Sequence, residues 1–278
     1  MKNIRINLFD KETRHGFMPS MTGYILDKSV HDGGLSRTAV LVIPGGGYRY
    51  VEEAEGERVA LSYNAVGFHA FILDYCVAPH MHPMPLLSAA KAVETIRENA
   101  AEWNINPDMI AVCGFSAGGH LAASLCTLWN DNEVFSGTTE ENKKHRPNAS
   151  VLCYPVITCG EFSHRPSANR ICGSETENEL TGKLSLENRV DKDTTPAFIW
   201  HTFSDSTVPV ENSMLYAAAL RKSGVPFELH IYPDGDHGLV LGTDLVNWGV
   251  DRFSRSYPWL KQSVEWLYLQ FGITKIER

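Results

Sequence analysis

Short apolar runs alternate along the chain with longer stretches in which apolar residues recur every three or four positions. The runs Thr38–Ile43, Phe68–Leu73, Met109–Cys113, Ser150–Ile157, Pro196–Phe203 and Phe227–Tyr232 have strand length and carry many β-branched and aromatic residues. They are continuously apolar rather than alternating, which predicts strands buried on both faces of a mostly parallel sheet. Between them, Met84–Trp103 sets Leu87, Ala90, Val93, Ile96 and Ala100 on one helical stripe. Leu121–Trp129, Asn212–Lys222 and the stretch from Ser256, with Leu260, Val264, Leu267 and Phe271, repeat that period. Strands and amphipathic helices in alternation predict an α/β fold: a mostly parallel central sheet with helices on both faces.

Residues 158–195 break the alternation. They are rich in Glu, Asn, Thr, Ser and Arg and poor in large apolar residues. This predicts a short polar, cap-like insertion over one end of the sheet, with one short helix around Asn178–Leu184. A lid of the lipase kind would be more apolar. No repeat, low-complexity tract or linker interrupts the chain, so residues 1–278 are read as one domain.

Composition narrows the classes. The chain has 278 residues, 43% hydrophobic and 21% charged, an ordinary balance for a globular protein. A formal net charge of −8 argues against a nucleic-acid partner and against an anionic membrane surface. No run approaches the ~18 apolar residues of a membrane helix. The opening MKNIRINLFDKETRHG alternates polar and apolar residues and lacks the apolar core of a signal peptide, which predicts a cytoplasmic protein. The six cysteines, at 76, 113, 126, 153, 159 and 172, show no C-x-x-C spacing, so free buried thiols are expected rather than disulfides or a metal site.

The chemistry centres on Gly114-Phe115-Ser116-Ala117-Gly118, a G-x-S-x-G placed where a strand should turn sharply into a helix. Such a turn strains the serine backbone and crowds the positions two before and two after it, which favours glycine there. Ser116 is the candidate nucleophile. The Ala117 N–H, at the start of the helix, is a candidate oxyanion donor. Pro44-Gly45-Gly46-Gly47-Tyr48 follows the 38–43 strand directly, and Gly46 and Gly47 are the further candidate donors. A phosphate-gripping loop is the bland alternative, but the P-loop lysine and the dinucleotide spacing are both missing.

Eleven histidines compete for the base. His237, in a loop just after the last strand, is favoured because α/β sheets place their chemistry at strand C-termini. His120 lies four residues after Ser116 on the same helix and points along it. His201 sits inside a strand and reads as a packed core histidine. Asp205, after the 196–203 strand, is the candidate acid and completes the chain order Ser116, Asp205, His237. Asp234, Asp236 and Glu211 are its competitors; Asp234 reads as a turn residue with Gly235.

These segments resemble the α/β-hydrolase superfamily. Within it they are similar to the acetyl xylan esterase and acetyl esterase group, a BD-FAE-like set related to the hormone-sensitive-lipase-like esterases. The resemblance rests on PGGGY (44–48), DYCVAP (74–79), NPDMIAVCGFSAGGHLAA (106–123), WHTFSDSTVPVENS (200–213) and GVPFELHIYPDGDHG (224–238). The lipase-like esterases usually read H-G-G-G where this chain has Pro44, and D-Y-R-L-A-P where it has Cys76 and Val77. The resemblance implies a serine carboxylic-ester hydrolase that removes short acyl groups, acetyl above all, from a polar alcohol such as an acetylated sugar or xylo-oligosaccharide. Neither a cofactor nor a metal is implied, and the only partner is a small-molecule ester. Tyr48 and Tyr75, beside the glycine loop and the next strand end, are candidates to flank a sugar ring, with ordinary packing of loop aromatics as the alternative. A general short-chain carboxylesterase and an amide hydrolase on the same triad are the rival readings. Homo-oligomerisation is left open.

Overall fold

The computed structural model describes residues 1–28, 35–136, 143–174, 179–242 and 257–273. Its eight strands form one sheet: β1 (Lys2–Asn7), β2 (Ser20–Ile25), β3 (Arg37–Ile43), β4 (His69–Asp74), β5 (Ile105–Phe115), β6 (Ala149–Cys153), β7 (Ala197–Thr202) and β8 (Phe227–Tyr232). Their spatial order is β1-β2-β4-β3-β5-β6-β7-β8. From β4 to β8 every pairing is parallel, while β1 and β2 add an antiparallel edge. The helices described are α1 (Glu57–Ala65), α2 (Met84–Glu98), α3 (Ala100–Trp103), α4 (Ser116–Thr127), α5 (Arg165–Cys172), α6 (Glu179–Lys183), α7 (Glu211–Ser223) and α8 (Trp259–Gln270).

Successive strand residues point to opposite faces, so each apolar strand feeds two cores. Ala39, Leu41 and Ile43 of β3 join Leu86, Val93, Leu121, Leu125 and Leu220 from α2, α4 and α7. Val40 and Val42 of the same strand join Val59 and Tyr63 of α1 and Trp259, Val264 and Leu267 of α8. The two-sided burial is the physical reason the strands lack polar alternation.

The sequence boundaries shift in specific places. The 84–103 stretch divides at Asn99 into α2 and α3, and Asn104, left-handed at φ 58°, ends α3. The 150–157 run stops as a strand at Cys153, because Tyr154 turns at φ 36°. The helix expected from Leu121 begins at Ser116. The polar-apolar alternation of the N-terminus belongs to β1, whose pairing with β2 periodicity alone did not indicate. In the 158–195 segment α6 falls near the expected short helix, but α5 was not expected. Its polar run RPSANRIC buries Ser167, Ala168, Ile171 and Cys172. All six cysteines are buried free thiols.

Candidate active site

Parallel register aligns the strand ends. Ile43 pairs with Gly114, Phe115 with Cys153, and Cys153 with Trp200. The loops after β3, β5, β6, β7 and β8 therefore open on one edge of the sheet, where α/β folds place ligands. Ser116 is the first residue beyond β5 and sits at φ 51°, a left-handed conformation that costs a non-glycine residue energy. Close packing holds it there. A Cβ on Gly114 would lie 2.4 Å from the Gly118 carbonyl oxygen, and one on Gly118 would lie 2.1 Å from that of Ile43.

His237 Nε2 lies 2.8 Å from Ser116 Oγ, and His237 Nδ1 lies 2.7 Å from Asp205 Oδ2. Asp205 is buried and accepts further bonds: Oδ1 from the Thr207 and Val208 amides, both at 2.9 Å, and Oδ2 from His201 Nε2 at 3.2 Å. Burial alone would raise the Asp205 carboxyl. The hydrogen bonds from His201 and His237, the His237 charge and the Val208 amide outweigh burial and hold the carboxyl well below the usual carboxylate range. Asp205 is therefore an acceptor, so His237 Nδ1–H donates to it. Nε2 is left to accept the Ser116 hydroxyl proton. A base in that position can activate a hydroxyl as a nucleophile.

The glycine loop carries the candidate oxyanion donors. Gly46 and Gly47 take φ 105° and 64°, and a Cβ on Gly46 would meet the Tyr50 carbonyl oxygen at 2.2 Å. Among the described residues neither amide donates to a protein acceptor. Ala117 lies in the first turn of α4, where N–H groups have no partner within the helix.

Several assignments change. Tyr48 and Tyr75 do not present faces to a substrate: both rings are buried beneath the loop. The Tyr75 hydroxyl donates to the Pro44 carbonyl at 2.8 Å, and that of Tyr48 lies 2.8 Å from His120 Nδ1. They support the loop from within. His120 Nε2 lies 2.9 Å from the Leu184 carbonyl, and burial lowers its pKa to about 4, so it is a neutral brace that donates from Nε2. Asp234 accepts from the Tyr257 hydroxyl and Asp236 is exposed. His201 is a core histidine as expected, yet it also touches Asp205.

The sequence reading missed Glu55 and Tyr154. Glu55 is buried; its Oε2 accepts the Gly45 amide at 2.7 Å and its Oε1 the Tyr154 hydroxyl at 2.8 Å. Burial raises the Glu55 carboxyl against the pull of those two bonds. The Tyr154 hydroxyl in turn accepts the Val240 amide at 3.1 Å, and its ring meets that of His237 edge-on at 4.9 Å. Nothing in the acidic run VEEAEGER marks Glu55 as the buried one. Among the described residues no group of three or more His, Cys, Asp or Glu side chains is placed to hold a metal ion, and no helix is long and apolar enough to cross a membrane.

This architecture, a strained serine between a parallel strand and a helix, is that of an α/β hydrolase. The BD-FAE family model matches residues 31–220, and the chain belongs to that family. It is 36% identical over 247 residues to endo-1,4-beta-xylanase B of Butyrivibrio fibrisolvens, covering 86% of this chain and 37% of that protein. It is 34% identical over 229 residues to an acetylxylan esterase of Xylanibacter ruminicola, covering 77% of this chain and 45% of the relative. The chain thus spans less than half the length of either relative. The crystal structure of an acetyl ester-xyloside bifunctional hydrolase from Caldicellulosiruptor lactoaceticus superimposes with a TM-score of 0.83 at 38% identity, covering 98% of this chain and 97% of that one.

Proposed function

We propose that this chain is a serine carboxylic-ester hydrolase that removes acetyl and similarly short acyl groups from acetylated xylo-oligosaccharides or related sugars. The reading rests on one observation above the rest: the continuous hydrogen-bonded line from Ser116 Oγ through His237 to Asp205. Ser116 Oγ attacks the ester carbonyl carbon while its proton passes to His237 Nε2. The Gly46, Gly47 and Ala117 N–H groups hold the oxyanion. Collapse of the tetrahedral species breaks the bond to the alcohol oxygen, which leaves with the proton from His237. Water, deprotonated by the same imidazole, then releases the acid and restores Ser116. The sugar as alcohol half is supported by the polar 158–195 segment and by the similarity to proteins named for xylan and acetyl-xyloside esters. In a cytoplasmic setting the substrate is a soluble oligosaccharide rather than polymeric xylan.

The test is acetate release from acetylated xylo-oligosaccharides beside hydrolysis of p-nitrophenyl esters of increasing acyl length, in wild type and Ser116→Ala. Ser116→Ala lowers kcat by more than about 10⁴-fold on every substrate. Activity on the sugar ester, with a preference for acetate that collapses beyond butyrate, supports the reading. Activity on aryl esters alone leaves a general short-chain esterase. Silence on both turns the search to amides.

A further inference from the structure

Helix α5 is mounted directly on the glycine loop. Arg170 Nη1 donates to the Gly47 carbonyl at 3.0 Å. A Cβ built on Gly47 would meet Arg170 Nη1 at 3.3 Å, Ser167 Oγ at 3.6 Å and His164 Cε1 at 4.0 Å. His164 caps this helix: its carbonyl accepts the Ser167 and Ala168 amides at 3.0 and 3.2 Å. Its ring is half-buried, with Nδ1 2.8 Å from the Oγ of the buried Ser167. Burial, more than any neighbouring charge, lowers its pKa from the usual histidine value. The Ser167 hydroxyl can donate to Nδ1, and in that tautomer the ring hydrogen sits on Nε2. Among the described residues Nε2 has no protein partner.

Reaction geometry then defines where this imidazole stands. The ester carbonyl oxygen must point at the glycine-loop amides and the leaving oxygen at His237 Nε2. The His164 ring stands beside Gly47, next to the loop whose amides would face that carbonyl, and so within reach of an ester bound there. We propose that His164 is a specificity residue for the alcohol half. Its Nε2–H donates to a hydroxyl neighbouring the ester oxygen, such as a sugar carries, while Ser167 and Arg170 hold its position. The inference deepens the esterase reading above and rests on it.

The experiment measures kcat/KM for acetylated xylo-oligosaccharide and for p-nitrophenyl acetate, whose leaving group has no neighbouring hydroxyl. It compares wild type, His164→Phe and His164→Gln. The ratio of the two constants is independent of how much of each variant is folded. Loss of one such hydrogen bond lowers the sugar-to-aryl ratio about tenfold in His164→Phe. His164→Gln, which keeps an N–H donor, recovers most of it. A ratio unmoved in His164→Phe, or equally reduced in both variants, overturns the role of His164 while leaving the esterase reading intact. A wild type that hydrolyses the aryl ester but no sugar ester overturns the sugar reading and, with it, this role.

Discussion

Asp205 collects four hydrogen bonds on two oxygens, from His237, His201, Thr207 and Val208. They hold its carboxyl below the ordinary range even though burial opposes ionisation. The linkage follows in sign. A depressed carboxyl contributes stability that is fully present above its unfolded pKa of about 4, and that stability is lost as pH falls through the folded value. Asp205→Asn removes this contribution and turns an amide N–H₂ towards two ring donors. Its melting temperature is expected to lie several degrees below wild type at pH 7, and the gap narrows as pH falls from about 5 towards 3. Thermal melts of both proteins across that range check it; a gap independent of pH would mean that the carboxylate charge is not what the four donors stabilise.

At the scale of elements, the site depends on how closely α4 approaches the ends of β3 and β5. Gly118 is the contact point: an added Cβ would lie 2.1 Å from the Ile43 carbonyl oxygen and 2.3 Å from that of Pro44. Both are backbone atoms, so no side chain can swing aside. Gly118→Ala must push α4 off the sheet or move the glycine loop. It is expected to cost about 1–3 kcal/mol of stability. It should also lower kcat by roughly tenfold or more if, as proposed, the Ala117 and Gly46 amides act together on one oxyanion. Urea unfolding and p-nitrophenyl acetate kinetics measure the two effects, and wild-type values in both would refute the packing argument. Elements were unevenly legible. The strands that feed both cores were readable as apolar runs, because two-sided burial leaves no polar position. α5 was not, because an eight-residue helix buries only Ser167, Ala168, Ile171 and Cys172 and faces polar neighbours elsewhere.

Across the whole molecule, one buried carboxylate joins segments far apart in the chain. Glu55 holds the Gly45 amide of the glycine loop and the Tyr154 hydroxyl at the end of β6, and Tyr154 holds Val240 in the segment after His237. The ring of Tyr154 also meets Trp200 of β7 edge-on at 5.1 Å, and Trp200 stacks on Trp259 of α8 at 5.5 Å. The loop, the base and the C-terminal helix thus share one framework. Glu55→Ala leaves two buried donors unsatisfied at about 1–3 kcal/mol each, so a loss of roughly 2–6 kcal/mol is expected. Glu55→Gln, which can still accept one of the bonds, loses less. Equilibrium urea unfolding of the two variants decides; an alanine variant as stable as wild type would remove Glu55 from this role.

The linear chain by itself determined the sheet-and-helix alternation, the sharp turn at Ser116, the glycine loop, and the order serine, aspartate, histidine. These are local matters: backbone crowding, strand burial and loop position leave their mark on neighbouring residues. The alternating N-terminus showed as a pattern, but its partner β2 did not, since pairing is set by register against β4. Tertiary structure alone decided which polar residues are buried. Glu55 and Tyr154 turn inward, and of the two readings open for Tyr48 and Tyr75, substrate contact or loop packing, their burial matches packing. His237 meets Ser116 and Asp205, and His164 meets the glycine loop, only across long stretches of chain. Burial of a polar side chain depends on which distant donor meets it, and that meeting has no periodicity or neighbour in the chain to announce it.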